Sequence, residues 1–531
     1  MTLIPWILLL LAVALQLVTL PVLLRRKDPE AASWKGAIPG LHFLAWLELI
    51  QRPWYWIFFL LVPGINLLLL TVMHVELGLA FGRRSMKEQW IMGALPWWGL
   101  WELRQGNDNW VGKRDWSKTR KSTAREWSEA LIWATVVAGS LRMLIVEPFT
   151  IPTPSMEGSM LVGDYLIVSK MSYGPKLPRT PFTMPFVHNA LPGGLTPSYT
   201  SWFSLPNLRL PGFRDVERYD AVVFSFPHGD TVYVDPNLVG HDYYALLRRD
   251  GIRRAGGDVQ TFALNPERYL DEARAKAAKS PGLRARPVDK MENYVKRCVG
   301  LPGETVSVVE GQLHINGEAV ENPEGLQMEY RVVFANQVEA QNAFRKLGLT
   351  KLDLGPVSAI PEGIAAVMAL TEREVNAMNT LASSVEPMSN AHRRGRLEMF
   401  PNVWDEEFNQ WDPDNFGPVM LPKEGTTVEL TPRNLNLYRR WITAYEDHTL
   451  EELPNGQIRI DGELATEYTF GMDGYWMMGD NRHRSADSRM WGFVPEDHIV
   501  GCATFTWFSK QNEAQHGESK IRWDRVMRPV E

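Results

Sequence analysis

Residues 2–24, TLIPWILLLLAVALQLVTLPVLL, carry no charged side chain. Wound as a helix at about 1.5 Å per residue, such a run reaches across the ~30 Å hydrocarbon layer of a bilayer. Arg25, Arg26 and Lys27 follow at once, and no small-residue cleavage site does, so the run reads as an uncleaved anchor and not as a removable leader. A second span falls within 54–76, with a kink at Pro63-Gly64. Residues 89–102 are apolar but short, and Pro96 divides them, so crossing and re-entrant placements both stay open, and with them three spans or four. The last span covers about 128–147.

Charge orients these segments. Lys113, Arg114, Lys118, Arg120, Lys121 and Arg125 precede the last span, whereas PFTIPTPSMEG after it has neither Lys nor Arg. The positive-inside rule then puts 103–127 in the cytoplasm and everything beyond 147 outside it. A net charge of −6 gives no sign of a nucleic-acid partner. Two cysteines, Cys298 and Cys502, are too few for a disulfide framework or a cysteine zinc cluster. Both stand in strand-like segments, as buried thiols or as a single bridge. There is no phosphate loop and no histidine-carboxylate ligand cluster, so neither cofactor nor metal is expected.

From 151 onward the pattern changes. Short runs rich in Val, Ile, Tyr and Phe, such as YDAVVFSF and ETVSVVEGQLHINGEAV, alternate with Gly, Pro, Asn and Asp. INGE and IDGE are hairpin-turn signals. The chain therefore reads as N-terminal transmembrane α-helices followed by a mainly antiparallel β-rich domain with inserted α/β segments. Its expected divisions are a multi-span membrane region with a cytoplasmic basic segment (1–127), a final anchor (128–147) and an extracytoplasmic domain (148–531) with an insertion at about 320–450.

Three stretches of that domain concentrate chemistry: PTPSMEGSMLVGDYLIV, YVKRCVGLPGETV and MMGDNRHRSADSRMWGFVP. The first offers two serines, Ser155 and Ser159, each before a methionine, and the residues alone do not choose between them. In the second, Lys296 and Tyr294 share a strand face by alternation and Arg297 points to the other. In the third, Asp480, Arg482, Asp487 and Arg489 crowd into ten residues, a density typical of structural ion pairs holding a loop.

Together, and in this order after an apolar span, the stretches resemble the type I signal peptidases, membrane-bound Ser-Lys proteases that remove signal peptides. Gly163-Asp164 with the strand after it, YDAVVF at 219–224, KRCVGLPGE and GDNRHRSADSRMWGFVP all match segments of that family, and the long C-terminal region resembles its larger Bacteroidetes members. Residues 1–125 lie outside the resemblance. It implies that Ser155, four positions after Ile151, is the nucleophile and Lys296 the general base. It also implies that Thr153 assists the oxyanion, that Ser485 orients the lysine amine, and that Asp480, Arg482, Asp487, Arg489 and Arg297 support the site. Implied partners are signal-peptide-bearing preproteins, the lipid bilayer and the export machinery. The implied location is the bacterial inner membrane, with the catalytic domain on the periplasmic side. A catalytically degenerate membrane scaffold is the alternative.

Such chemistry makes a physical demand. A serine hydroxyl needs a base to take its proton, and a lysine serves only when neutral. Burial must lower its pKa by about 3 units from about 10.4, so no carboxylate should sit beside it. His483, with Ser485 and Asp487 nearby, suggests a Ser-His-Asp triad. Triad members converge from separate segments, so His483 is not expected to act as the base.

Overall fold

The computed structural model of the chain describes residues 4–113, 122–184, 186–191, 196–202, 204–227, 229, 231–233, 242–279, 283–350, 352–511 and 519–530. It divides into two units. One comprises Met1–Ile145 with Lys176–Arg209, the other Val146–Pro175 with Leu210–Glu531. Lys176–Arg209 thus joins the helical unit, where Lys176–Leu177 pairs with Leu208–Arg209 and closes the excursion on itself.

Helices of the first unit run Ile4–Lys27, Leu41–Leu49, Trp56–Leu60, Ile65–Ala80, Met86–Ala94, Pro96–Gln105 and Thr123–Leu144. Leu20, Leu23, Trp46, Leu49, Met73, Leu77 and Leu103 form one buried cluster. Met92 lies so close to Gly99 that a Cβ there would stand 2.6 Å from its sulfur. Arg26 donates to the carbonyls of Leu103 and Arg104, capping the end of Pro96–Gln105.

Two expected spans, 54–76 and 128–147, are corrected, and the run at 89–102, for which the sequence keeps crossing open, is too short to cross. The 54–76 segment is two helices, because Pro63 interrupts it and Gly64 takes a φ of 77° just before the second begins. Residues 89–102 belong to two short helices that meet where Pro96 opens the second. The helix over 128–147 starts at Thr123 and stops at Leu144, and Val146–Thr150 is a strand in which Glu147 pairs in register with Val168. Among the described residues no helix is long and apolar enough to cross a membrane. Arg114–Lys121, the heart of the basic segment, lies outside the described residues.

The second unit is largely antiparallel β. Its main sheet runs in the order Val146–Thr150, Asp164–Ser169, Ile499–Ser509, Ala221–Ser225, Asn293–Gly300, Gly474–Met478, Val494–Pro495, and Arg528–Pro529 pairs with Ile499–Ser509. Ala221↔Arg297 and Val222↔Lys296 are register pairs, so adjacent side chains of Asn293–Gly300 face opposite sides. Ala221 and Val223 bury with Ile151, Met156 and Met160, while Val222 and Phe224 bury with Cys298 and Trp491. Cys298 and Cys502 are both free and buried.

Both hairpin signals form turns. Asn316-Gly317 and Asp461-Gly462 each take positive φ at both positions, the geometry that a two-residue turn of this kind requires. Within the expected insertion at about 320–450, the stretch 335–395 contains Gln337–Leu347 and Glu372–Met378. It also carries most of a four-stranded antiparallel sheet of Leu354–Ile360, Gly363–Thr371, Gln327–Phe334 and Ser384–Pro387. Phe334, Met368 and Leu370 of that sheet bury against Ala340 and Ala343 of the first helix.

Candidate active site

Ser155 sits on a single 3-10 turn, Pro154–Met156, that Thr153 enters in extended conformation. Pro154 suits the first helical position, where its missing N–H would have had no acceptor. Met156 and Met160, which follow Ser155, are fully buried and anchor the turn, and Ser155 is 8% exposed. Lys296 projects from Asn293–Gly300 and its Nζ lies 2.6 Å from Ser155 Oγ. As an ammonium it donates to the hydroxyl; as a neutral amine it would accept from it. Nζ also donates to the Val295 carbonyl at 3.1 Å. Thr153 Oγ1 stands 3.5 Å from Ser155 Oγ.

Lys296 is 3% exposed. Tyr294, whose ring centre lies 5.7 Å from Nζ, stacks on Phe226 and meets Trp491 edge-on, so an aromatic wall replaces water beside the amine. Burial pushes the Lys296 pKa down to about 8, against an opposing pull from Asp487 and Asp480. Both aspartates are already held. Arg297 forks onto Asp480 with contacts of 2.8 and 2.7 Å. Arg489 forks onto Asp487 with contacts of 2.9 and 2.7 Å. Burial would raise the Asp487 pKa, but the Arg489 charge and hydrogen bonds outweigh it and keep the carboxylate ionised below the usual range.

Arg297 separates the two Ser-Met pairs. Its Nη2 donates to Ser159 Oγ at 3.1 Å, so that hydroxyl belongs to the arginine face of the strand while Ser155 meets the lysine. Arg482 is buried, its amide bonded to the Gln327 carbonyl and its Nε and Nη1 without partners. Ser485 is buried with an Oγ that makes no hydrogen bond, so the expected bond to the Lys296 amine is not formed. Ser485 is nevertheless adjacent: a Cβ at Gly479 would fall 2.3 Å from Ser485 Oγ and 2.4 Å from the Ser155 carbonyl oxygen.

Several participants were not anticipated. The Asn481 amide donates to the Ser155 carbonyl at 3.2 Å and ties the loop of the last motif to the serine turn. Gly479 permits that approach, and its place directly before Asp480 was the one available signal. Glu157, two residues past the serine, is buried with Oε2 unpartnered, and burial together with nearby Asp353 raises its pKa to about 7. His483 uses both ring nitrogens structurally, accepting from the Glu329 amide at Nδ1 (3.0 Å) and meeting Asp414 at Nε2 (2.7 Å). Among the described residues, no group of three or more His, Cys, Asp or Glu side chains is arranged to hold a metal ion.

A buried amine of lowered pKa against a buried hydroxyl is an arrangement for covalent acyl transfer. Residues 124–373 and 445–508 match the family described as signal peptidase, peptidase S26. Residues 34–113 match a family of unknown function, DUF5684. The chain is similar to the signal peptidase I of Haemophilus influenzae, 24% identical over 409 residues that cover 77% of this chain and 76% of the relative. It is 48% identical over 386 residues to the signal peptidase I of Buchnera aphidicola from Acyrthosiphon pisum, covering 73% of this chain and 76% of that protein.

Proposed function

Because the chain belongs to the signal peptidase S26 family, we propose that it is a membrane-bound serine endopeptidase that removes N-terminal signal peptides from exported preproteins with Ser155 and Lys296. The observation that carries this reading is the 2.6 Å approach of a buried Lys296 amine to Ser155 Oγ. Ser155 Oγ attacks the scissile carbonyl as Lys296 takes its proton. The tetrahedral oxyanion is held by the Ser155 main-chain N–H and the Thr153 hydroxyl. Lys296 then passes the proton to the leaving amine, and a water deprotonated by the same amine releases the acyl-enzyme. Ser485, whose hydroxyl has no partner, turns toward the amine and orients it.

Substrate would enter as a strand. Gly474–Met478 stops pairing at Arg297, so on that side Asn293–Lys296 has no strand neighbour among the described residues. An extended chain laid there would gain main-chain hydrogen bonds and pass the dyad.

The helical unit is proposed to attach the protein to the bacterial inner membrane, with the catalytic unit on the periplasmic side and the export machinery nearby. Support comes from the charge-free run at 2–24. It also comes from the exposed Trp54, Trp90, Trp97, Trp98, Trp127, Leu131 and Trp133, more apolar surface than a water-facing unit ordinarily shows. Recovery in the soluble fraction after alkaline carbonate extraction of cell membranes would overturn that attachment.

The deciding experiment is cleavage of a preprotein in detergent by wild type, Ser155→Ala, Lys296→Ala and Ser159→Ala. The first two variants should be inactive and the third active. Full activity in both Ser155→Ala and Lys296→Ala would overturn the dyad. A wild type inert on every preprotein tried would favour a degenerate scaffold.

A further inference from the structure

Inserted segments of the catalytic unit bond directly to the active-site loop, residues 479–485. The Gln327 amide donates to the Asp480 carbonyl at 2.8 Å, and the Arg482 amide returns a bond to the Gln327 carbonyl at 2.9 Å. Arg484 Nε donates to Glu329 Oε1 at 2.8 Å, and its Nη1 to the Leu352 carbonyl. His483 stands between these contacts with a side chain only 1% exposed. Its Nδ1 accepts the Glu329 amide, which fixes the neutral tautomer and leaves Nε2–H to donate to Asp414 Oδ1. Asp414 is itself anchored: its Oδ2 accepts from the amide and side chain of Asn390, and its carbonyl from the Gly311 amide.

The other end of the loop touches the nucleophile. Asn481 donates to the Ser155 carbonyl, and Gly479 is wedged between that oxygen and Ser485. His483 lies two residues from each of Asn481 and Ser485. A shift of its ring would move both, and misplacements near 1 Å cost reaction rates steeply. With both nitrogens engaged, the ring has no capacity to take a proton from Ser155.

We propose that His483 is a positioning residue for the Ser155–Lys296 reaction. It bridges the Glu329 amide to the Asp414 carboxylate and so locks the 479–485 loop against the serine turn. This gives the inserted sheet a task in catalysis that requires no contact with substrate. The inference rests on the dyad reading above.

The test uses the full chain in detergent, with preprotein cleavage measured as kcat and KM separately. His483→Ala and Asp414→Ala should each lower kcat by about tenfold to a hundredfold with KM within about threefold. His483→Gln, which can accept from the amide and donate to Asp414, should recover kcat to within about threefold of wild type. Asp414→Asn keeps one accepting oxygen for the His483 Nε2–H but sets its NH2 against the two Asn390 donors, so it should recover kcat in part, above Asp414→Ala. The double alanine variant should be no slower than either single one, because the two residues act as one strut. Wild-type kcat in His483→Ala, or His483→Gln no better than His483→Ala, would overturn the proposal. So would an effect confined to KM. If His483→Ala fails to fold, the contrast of Asp414→Asn with Asp414→Ala decides in the same way. Activity persisting in Lys296→Ala would instead sink the dyad reading, whatever His483 does.

Discussion

Lys296→Met should stabilise the catalytic sheet while abolishing activity. Burial moves the lysine from 10.5 to about 8, a differential worth about 3 kcal/mol at about 1.4 kcal/mol per unit. The folded-state pKa lies below the unfolded one, so folding expels a proton. The resulting destabilisation is absent above about pH 10.5, grows as pH falls, and is complete below about pH 8. Methionine has similar length and no charge to desolvate. It loses the hydrogen bonds to Ser155 Oγ and the Val295 carbonyl, at a cost of about 1 to 2 kcal/mol. The net is a gain of about 1 to 2 kcal/mol at pH 7, roughly a tenfold change in an equilibrium constant. At pH 10.5 the sign reverses, because only the lost hydrogen bonds remain. Cys298 supplies the assay: it is fully buried two residues away on the same strand, so a thiol reagent reaches it only when the strand detaches and carries position 296 with it. The ratio of labelling rates, variant over wild type in mild urea, cancels the reagent's own pH dependence. It should sit about tenfold below one at pH 7 and rise above one at pH 10.5. A ratio above one at pH 7, or one that does not change with pH, would refute burial as the cause of the depressed pKa.

The same amine sets the pH profile. If Lys296 is the base, as proposed, it must be neutral to act, so kcat/KM on a preprotein should rise through a midpoint near pH 8 and gain about tenfold between pH 7 and pH 9. Arg297→Met leaves Asp480 as a buried unpaired carboxylate and should cost about 3 to 5 kcal/mol, read as a lowered urea midpoint; Arg297→Met with Asp480→Leu should recover much of it. Gly479→Ala forces a methyl against the Ser155 carbonyl and Ser485 Oγ, so kcat should fall by about a hundredfold. Ser485→Ala removes a hydroxyl that makes no hydrogen bond, so its thermal midpoint should match wild type; any loss of kcat then reports on the lysine amine alone.

The sequence showed most where local rules decide the outcome. Alternation along YVKRCVG separates Lys296 from Arg297, and the register pairs with Val222 and Ala221 follow it. INGE and IDGE each supply the two residues that tolerate positive φ. Alternation turns Arg297 away from Lys296, which leaves it free to pair with an acid of the last motif, Asp480 or Asp487. The choice of Asp480 over Asp487 does not follow from alternation, because Arg489 claims Asp487 from two residues away. Long-range approach was beyond reach of pattern. Nothing local announces that Asn481 donates to the Ser155 carbonyl or that Asp414 meets His483 across 69 positions. The apolar runs misled for a related reason. Composition over 54–76 satisfies a span, yet Pro63 with Gly64 ends one helix and starts another.

The expectation that no carboxylate stands beside Lys296 is corrected: two are within electrostatic reach, and both are paired. Asp487 and Asp480 both pull the Lys296 pKa upward, and each alone would favour the ammonium. Each is held in a two-point fork by its own arginine within the buried site, so each pair presents to Lys296 a near-neutral dipole instead of a full charge. Burial then outweighs what remains of their field, and the amine reaches about 8 instead of staying near 10.5. The pairs are also mechanical. Asp480 ties the lysine strand to the 479–485 loop through Arg297, and Asp487 receives the Gly479 amide at 3.2 Å. The side chains that discharge the surroundings of the base are therefore the ones that fix the loop beside the nucleophile. Electrostatic tuning and geometric placement of Lys296 cannot be varied independently in this fold.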